Sequence, residues 1–138
     1  MIKLFVSFIV LSAAVMLPAA PKVEGLSDLK KLQTKVQRVV REKTKTTVSL
    51  ISPTIGASGS GVIVSSDGLI LTAAHVIERS KEMTVIFPDG RQEKAKVLGA
   101  NFTRDAAMAK LIGPGPWPFA EIGDSKSLEV GDFVVAMG

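Results

Sequence analysis

Cysteine is absent from the 138-residue sequence. That one absence excludes a disulfide framework, a thiolate zinc site and a cysteine nucleophile, and it leaves no thiol for lipid attachment behind the N-terminal apolar stretch. An exported chain without cysteine does not depend on an oxidising compartment, which suits a bacterial envelope protein better than a small animal secreted domain. Histidine is scarce as well, with His75 the only one. Excess charge is missing from most of the chain. The net charge of +4 traces to residues 22–45, where eight basic and three acidic residues give +5, whereas from Thr46 onward eight basic and ten acidic residues give −2. The basic character therefore belongs to a leader and not to the body. Such a stretch can touch anionic lipid or nucleic acid; the plainer reading is a solvated amphipathic helix.

Long apolar runs are also few. Residues 4–17 form one, 14 residues interrupted by two serines and preceded by Lys3. This is shorter than the roughly twenty residues that cross a bilayer, and it reads as an export signal. Pro18-Ala19-Ala20 offers small residues for cleavage, but Pro21 is a poor partner for signal peptidase, so both a cleaved signal and a retained anchor are open. The length allows one domain. The expected organisation is a signal or anchor over residues 1–20, a basic helical leader over 21–45, and a β-rich body over 46–138.

Within the leader, Ser27 and Asp28 read as cap and first-turn acid for a helix over residues 27–41, with Leu29, Leu32, Val36, Val39 and Val40 at helical spacing. The body reads as short strands. Residues 46–52 are a β-branched run stopped by Pro53. Residues 61–65 and 69–72 flank Ser66-Asp67-Gly68, and residues 83–87 and 92–98 flank Pro88-Asp89-Gly90-Arg91. Both are hairpin signals. Two further apolar runs lie at 107–112 and 132–137, and a Pro/Gly loop at 113–118 surrounds Trp117. Short strands at this spacing argue for an all-β barrel or sandwich and against a βαβ fold.

His75 ends the string Leu69-Ile70-Leu71-Thr72-Ala73-Ala74-His75. A lone histidine is more often structural than catalytic. Here an apolar strand runs through two alanines into the imidazole, which holds it at a barrel edge, and an imidazole can take and return a proton near neutrality. Asp105 follows in Thr103-Arg104-Asp105-Ala106-Ala107, just before an alternating apolar strand. Alone it would pass for a turn residue. Beside an imidazole, a carboxylate fixes the tautomer and stabilises the imidazolium.

Gly59-Ser60-Gly61-Val62-Ile63-Val64 followed by Asp67-Gly68-Leu69-Ile70-Leu71-Thr72-Ala73-Ala74-His75-Val76 resembles the histidine-bearing hairpin of trypsin-like serine proteases. Pro88-Asp89-Gly90-Arg91, Asp105-Ala106-Ala107, Gly123-Asp124-Ser125 and the stretch from Val130-Gly131-Asp132 to Gly138 resemble the HtrA (DegP-like) branch in order and spacing. The resemblance covers residues 46–138. It implies a trypsin-like antiparallel β-barrel, the first of the family's two, behind a signal segment and a short N-terminal helix. It further implies His75 as general base, Asp105 as its orienting acid, and serine endopeptidase activity on unfolded or damaged exported proteins. Polypeptide substrates, no metal, no organic cofactor, no nucleic acid, C-terminal PDZ domains and homotrimers go with it. The expected location is periplasmic or extracellular, with membrane contact through residues 1–45.

The family's nucleophile is a serine in Gly-x-Ser-Gly, and no such motif follows His75 and Asp105. Ser58-Gly59-Ser60-Gly61 precedes the histidine, where the family has a structural glycine turn. Ser125 and Ser127 lack the flanking glycines that would aim backbone N–H groups into an oxyanion hole. The expectation is an incomplete fragment that carries two members of a triad and is inactive alone. The alternative is a catalytically inactive half-barrel that binds peptides or a partner chain by strand addition at an open edge. A third reading makes the basic leader a membrane-surface adaptor, binding anionic vesicles in a salt-sensitive way.

Overall fold

Side chains alternate between inside and outside along most of residues 47–111, as period-two strands require. In the computed structural model, which describes residues 25–138, these residues form six antiparallel strands: β1 (Thr47–Ile51), β2 (Ser58–Ile63), β3 (Leu69–Thr72), β4 (Glu82–Ile86), β5 (Gln92–Asn101) and β6 (Ala106–Leu111). They close into a barrel in the order β1-β2-β3-β6-β5-β4, with β4 pairing back onto β1 through Ser49↔Ile86, Leu50↔Val85 and Ile51↔Thr84. The strand spacing left a barrel or a sandwich open, and this is the antiparallel barrel that the family resemblance implies. Its closure leaves the six strands no open edge of the kind strand addition requires.

Two hairpins sit where the sequence places them. At residues 65–69 the turn is closed by Gly68 N–H donating to the Ser65 carbonyl and Leu69 N–H donating to Ser65 Oγ at 3.0 Å. Gly68 has φ +89°, a conformation that side chains with a Cβ rarely adopt. At residues 87–91, Phe87 N–H donates to the Arg91 carbonyl and Gly90 N–H to that of Phe87.

The barrel interior is filled by Val48 and Leu50 of β1, Ile63 of β2, Ile70 of β3, Met83 and Val85 of β4, Ala95 of β5, and Ala107, Ala109 and Leu111 of β6. Alanines on two neighbouring strands let the wall draw close where the larger Leu, Ile and Met side chains reach across. Trp117, 5% exposed, closes one side and stacks on Phe87 with ring centroids 5.4 Å apart, and the Arg91 guanidinium lies 4.5 Å from the Phe87 centroid. A rigid Pro/Gly loop thus works as the holder of a packing residue, with Trp117 N–H donating to the Ser66 carbonyl at the first hairpin.

Three expectations are corrected. The helix α1 spans Leu26–Lys43, with Gly25 at its N-cap, so Ser27 lies inside the first turn and makes no cap bond; Asp28 accepts from Lys31 at 3.1 Å. The string Ser58-Gly59-Ser60-Gly61 is strand β2 and not a glycine turn. Residues 132–137 form no strand, although residues 133–137 are an unbroken apolar run. A strand needs a neighbour, and the closed barrel offers none to it. Phe133 and Val134 are exposed there. The export-signal reading falls on residues 1–20, outside the described residues.

Candidate active site

β3 and β6 are adjacent, in the register Leu69↔Lys110, Ile70↔Ala109, Leu71↔Met108 and Thr72↔Ala107. The chain leaving β3 and the chain entering β6 therefore emerge at the same end of the barrel. Thirty residues apart in sequence, His75 and Asp105 are brought together by that register. After β3 the chain takes a 3₁₀ turn, Ala74–Ile77, whose Ala74, Val76 and Ile77 are buried while His75 points outward. The apolar residues fix the turn against the core; the imidazole is what they hold out. Val97 N–H donates to the Lys81 carbonyl just beyond this turn, tying it to β5.

Asp105 is held by its own turn, with φ +49° and its N–H donating to the Phe102 carbonyl. Aspartate tolerates this left-handed conformation better than most residues. Its carboxylate accepts two different donors from one residue. The His75 backbone N–H donates to Oδ1 at 3.1 Å, and His75 Nδ1 lies 3.0 Å from Oδ1 and 2.8 Å from Oδ2. An ionised carboxylate only accepts, so Nδ1 carries the proton and Nε2 is the basic nitrogen of the neutral ring. The His75 backbone N–H, followed by the imidazole hydrogen bond and attraction to the ring, holds the Asp105 carboxyl below the ordinary aspartate range. The pair is open to solvent, with the His75 side chain 70% and that of Asp105 53% exposed. The exposure leaves Nε2 accessible to a reactant.

No hydroxyl among the described residues bonds His75. Ser60 lies in β2, where its carbonyl accepts from Thr72 Oγ1 at 2.8 Å; Ser58 flanks Gly59 on the same strand. Ser125 sits in a 3₁₀ turn, Ser125–Ser127, and Ser127 Oγ donates to the Asp124 carbonyl at 2.7 Å. Ser52 is buried against Ser80, and Ser65 bonds Asp67, which also meets Lys110. A cleft of about 450 Å³ lies elsewhere, between Thr46, Val62 and Leu71 of the barrel wall and Ala120, Val135 and Met137. Neither His75 nor Asp105 lines it.

Two contributors are missed by motif reading. The first is the backbone N–H of His75, which no side-chain pattern encodes. The second is Gly59, where a Cβ would stand 2.4 Å from Val76 Cγ2 and 3.0 Å from Val76 Cγ1. β2 and the histidine turn touch through this hydrogen-only position, so Gly59 sets how deeply Val76 seats and hence where His75 projects. A glycine in a strand interior, where it weakens the strand, is the available sequence signal for such a close approach.

Comparison with known proteins covers the same region. Residues 59–138 match the family model described as trypsin-like peptidase domain. A probable periplasmic serine endoprotease DegP-like of Halomonas elongata is 44% identical over 80 residues, 58% of this chain and 17% of that protein. Serine protease HTRA1 of Xenopus laevis is 43% identical over 82 residues, 59% of this chain and 18% of that protein. Among solved structures, the serine endoprotease from Yersinia pestis superposes with a TM-score of 0.62 at 30% identity, covering 70% of this chain and 36% of that one. The chain thus spans less than a fifth of these two curated relatives and about a third of the solved neighbour.

Proposed function

The chain belongs to the trypsin-like peptidase family, and from that premise we propose that it is the first barrel of an exported serine endopeptidase of the DegP/HtrA kind. In this reading residues 1–20 are an export signal or anchor, 21–45 a basic leader and 46–138 the barrel. The observation that carries it is the hydrogen-bonded pair of His75 and Asp105, with Nδ1 2.8 Å from Oδ2 and the His75 side chain 70% exposed. His75 is the general base: Nε2 takes the proton from a serine hydroxyl as the oxygen attacks a peptide carbonyl, then returns it to the leaving amine. Asp105 keeps the proton on Nδ1 and stabilises the imidazolium between those two transfers.

The serine and its oxyanion donors come from a second barrel that is not among these residues. The 138 residues alone are expected to hydrolyse no casein and to take no fluorophosphonate label. The substrates are polypeptides, and the similarity to periplasmic serine proteases supports export.

The test joins residues 1–138 to a second barrel bearing Gly-x-Ser-Gly and measures casein hydrolysis. His75→Ala abolishes turnover with the urea midpoint of the parent retained, and Asp105→Asn leaves a residual rate lower by about four powers of ten, the usual cost of losing the orienting carboxylate of a Ser-His-Asp triad. Undiminished turnover in His75→Ala would remove the histidine from the mechanism.

A further inference from the structure

α1 buries none of its own side chains. At 100° per residue, Leu29, Leu32, Val36, Val39 and Val40 share an arc about 100° wide. Leu29 is 51%, Val36 36% and Val40 39% exposed, and Leu32 and Val39 are half-buried, so the arc is largely open. The opposite face carries Lys30, Lys31, Arg38 and Arg41 with Glu42 its one acid, Lys35 and Asp28 flank the apolar arc, and Lys43 falls on the apolar side in the last turn. No described helix is long and apolar enough to cross a membrane. A helix whose apolar arc is left open and whose other face is cationic has the pattern of one that lies in a membrane interface.

Charge selects the occupant. Residues 22–45 carry +5 and residues 46–138 carry −2. Two copies packed through this arc would bring +5 against +5, which opposes self-association, whereas an anionic lipid surface attracts the leader and repels the barrel, leaving the barrel facing water. We propose that α1 is an interfacial anchor for anionic phospholipid, with Leu29, Val36 and Val40 inserted among the acyl chains and Lys31, Lys35 and Arg38 at the phosphate level. Their long stems allow the cationic heads to reach the phosphates while the helix axis lies in the plane. The anchor is independent of any catalysis by His75.

The experiment sediments the full 138-residue chain with vesicles of phosphatidylcholine alone and with about one third phosphatidylglycerol. Binding is expected to the anionic vesicles only, and to weaken roughly tenfold or more as salt rises from about 0.05 to 0.3 M. Leu29→Glu with Val36→Glu is expected to remove it. Lys31→Glu with Arg38→Glu is expected to abolish the preference for anionic lipid. All four positions are exposed on a helix that buries nothing, so the barrel's urea midpoint stays that of the parent. Equal binding by parent and both variants would assign the affinity to residues outside α1 and overturn the proposal. It is equally overturned if the parent does not sediment and Leu29→Glu with Val36→Glu instead dissolves an oligomer seen by light scattering, because the arc would then be an interface between copies.

Discussion

Replacing Gly59 with alanine inserts a methyl carbon 2.4 Å from Val76 Cγ2 and 3.0 Å from Val76 Cγ1. Ordinary contact between such carbons begins near 3.4 Å, so one of the two must retreat by about 1 Å. Val76 is 4% exposed and shares the core with Ala74 and Ile77, and a packed interior does not absorb such a shift freely. Overpacking of this kind costs about 1–3 kcal/mol. That is a large part of the roughly 5–15 kcal/mol that holds a domain together. With a urea slope of about 1–2 kcal/mol/M, the midpoint should fall by about 0.5–3 M. Trp117 is the sole tryptophan and is 5% exposed, so its fluorescence reports the transition directly. The control is Gly99→Ala, where nothing lies within 4 Å of the added carbon. It should move stability by no more than about 0.5–1 kcal/mol, and toward greater stability if anything. A double-mutant cycle isolates the cause: in a Val76→Ala background the methyl groups that clash are gone, so Gly59→Ala should cost little, a coupling of about 1 kcal/mol or more. An unchanged midpoint in Gly59→Ala, or a cost that survives intact in Val76→Ala, would refute the claim that Gly59 seats the histidine turn.

The Asp105 carboxyl should titrate, by side-chain ¹³C resonances, below the ordinary aspartate value of about 3.9. Because the folded value is the lower one, the stabilisation is fully present above the ordinary value and is lost as pH falls through the folded value; a midpoint at or above about 3.9 contradicts the geometry. His75→Ala should raise that midpoint only part of the way, since the backbone N–H of residue 75, the larger cause, survives the substitution. Gly68→Ala forces a Cβ into φ +89° and places it 2.8 Å from Leu111 Cβ and Trp117 Cδ1, so it should cost about 2–5 kcal/mol. A Trp117 unfolding curve that does not move would show that the hairpin relaxes around the methyl group.

The legible parts of the sequence are those where local pattern and tertiary structure ask for the same thing. Leu69-Ile70-Leu71-Thr72 is β3 to the residue, because an apolar run bounded by a glycine turn on one side and Ala73-Ala74 on the other has one solution. His75 and Asp105 stand together because motif order carries the register of two neighbouring strands. The illegible parts are those where the deciding partner lies elsewhere. Residues 133–137 are an apolar run that could make a strand, yet pairing depends on a neighbour that local composition does not mention. The start of β2 at Ser58 is hidden because Ser58-Gly59-Ser60-Gly61 has the composition of a turn. Its glycines are there for closeness: Gly59 to Val76, and Gly61 to Ile70 and Leu50. The left-handed turn of Asp105, which aspartate tolerates, is likewise held by the Phe102 carbonyl and the His75 donors, partners that local composition does not name.

The register of β3 against β6 also has a consequence in time. A chain is made from its N-terminus, and domains generally fold as units in that order. Each strand of the barrel, and both residues of the pair, lie at or before Leu111. Once that residue is free to fold, β6 can slot between β3 and β5, and the act of closing the barrel joins the carboxylate to the imidazole. Assembly of the hydrogen-bonded pair and completion of the fold are then one event, so under the proposed function a nucleophile would meet an imidazole already oriented by its carboxylate.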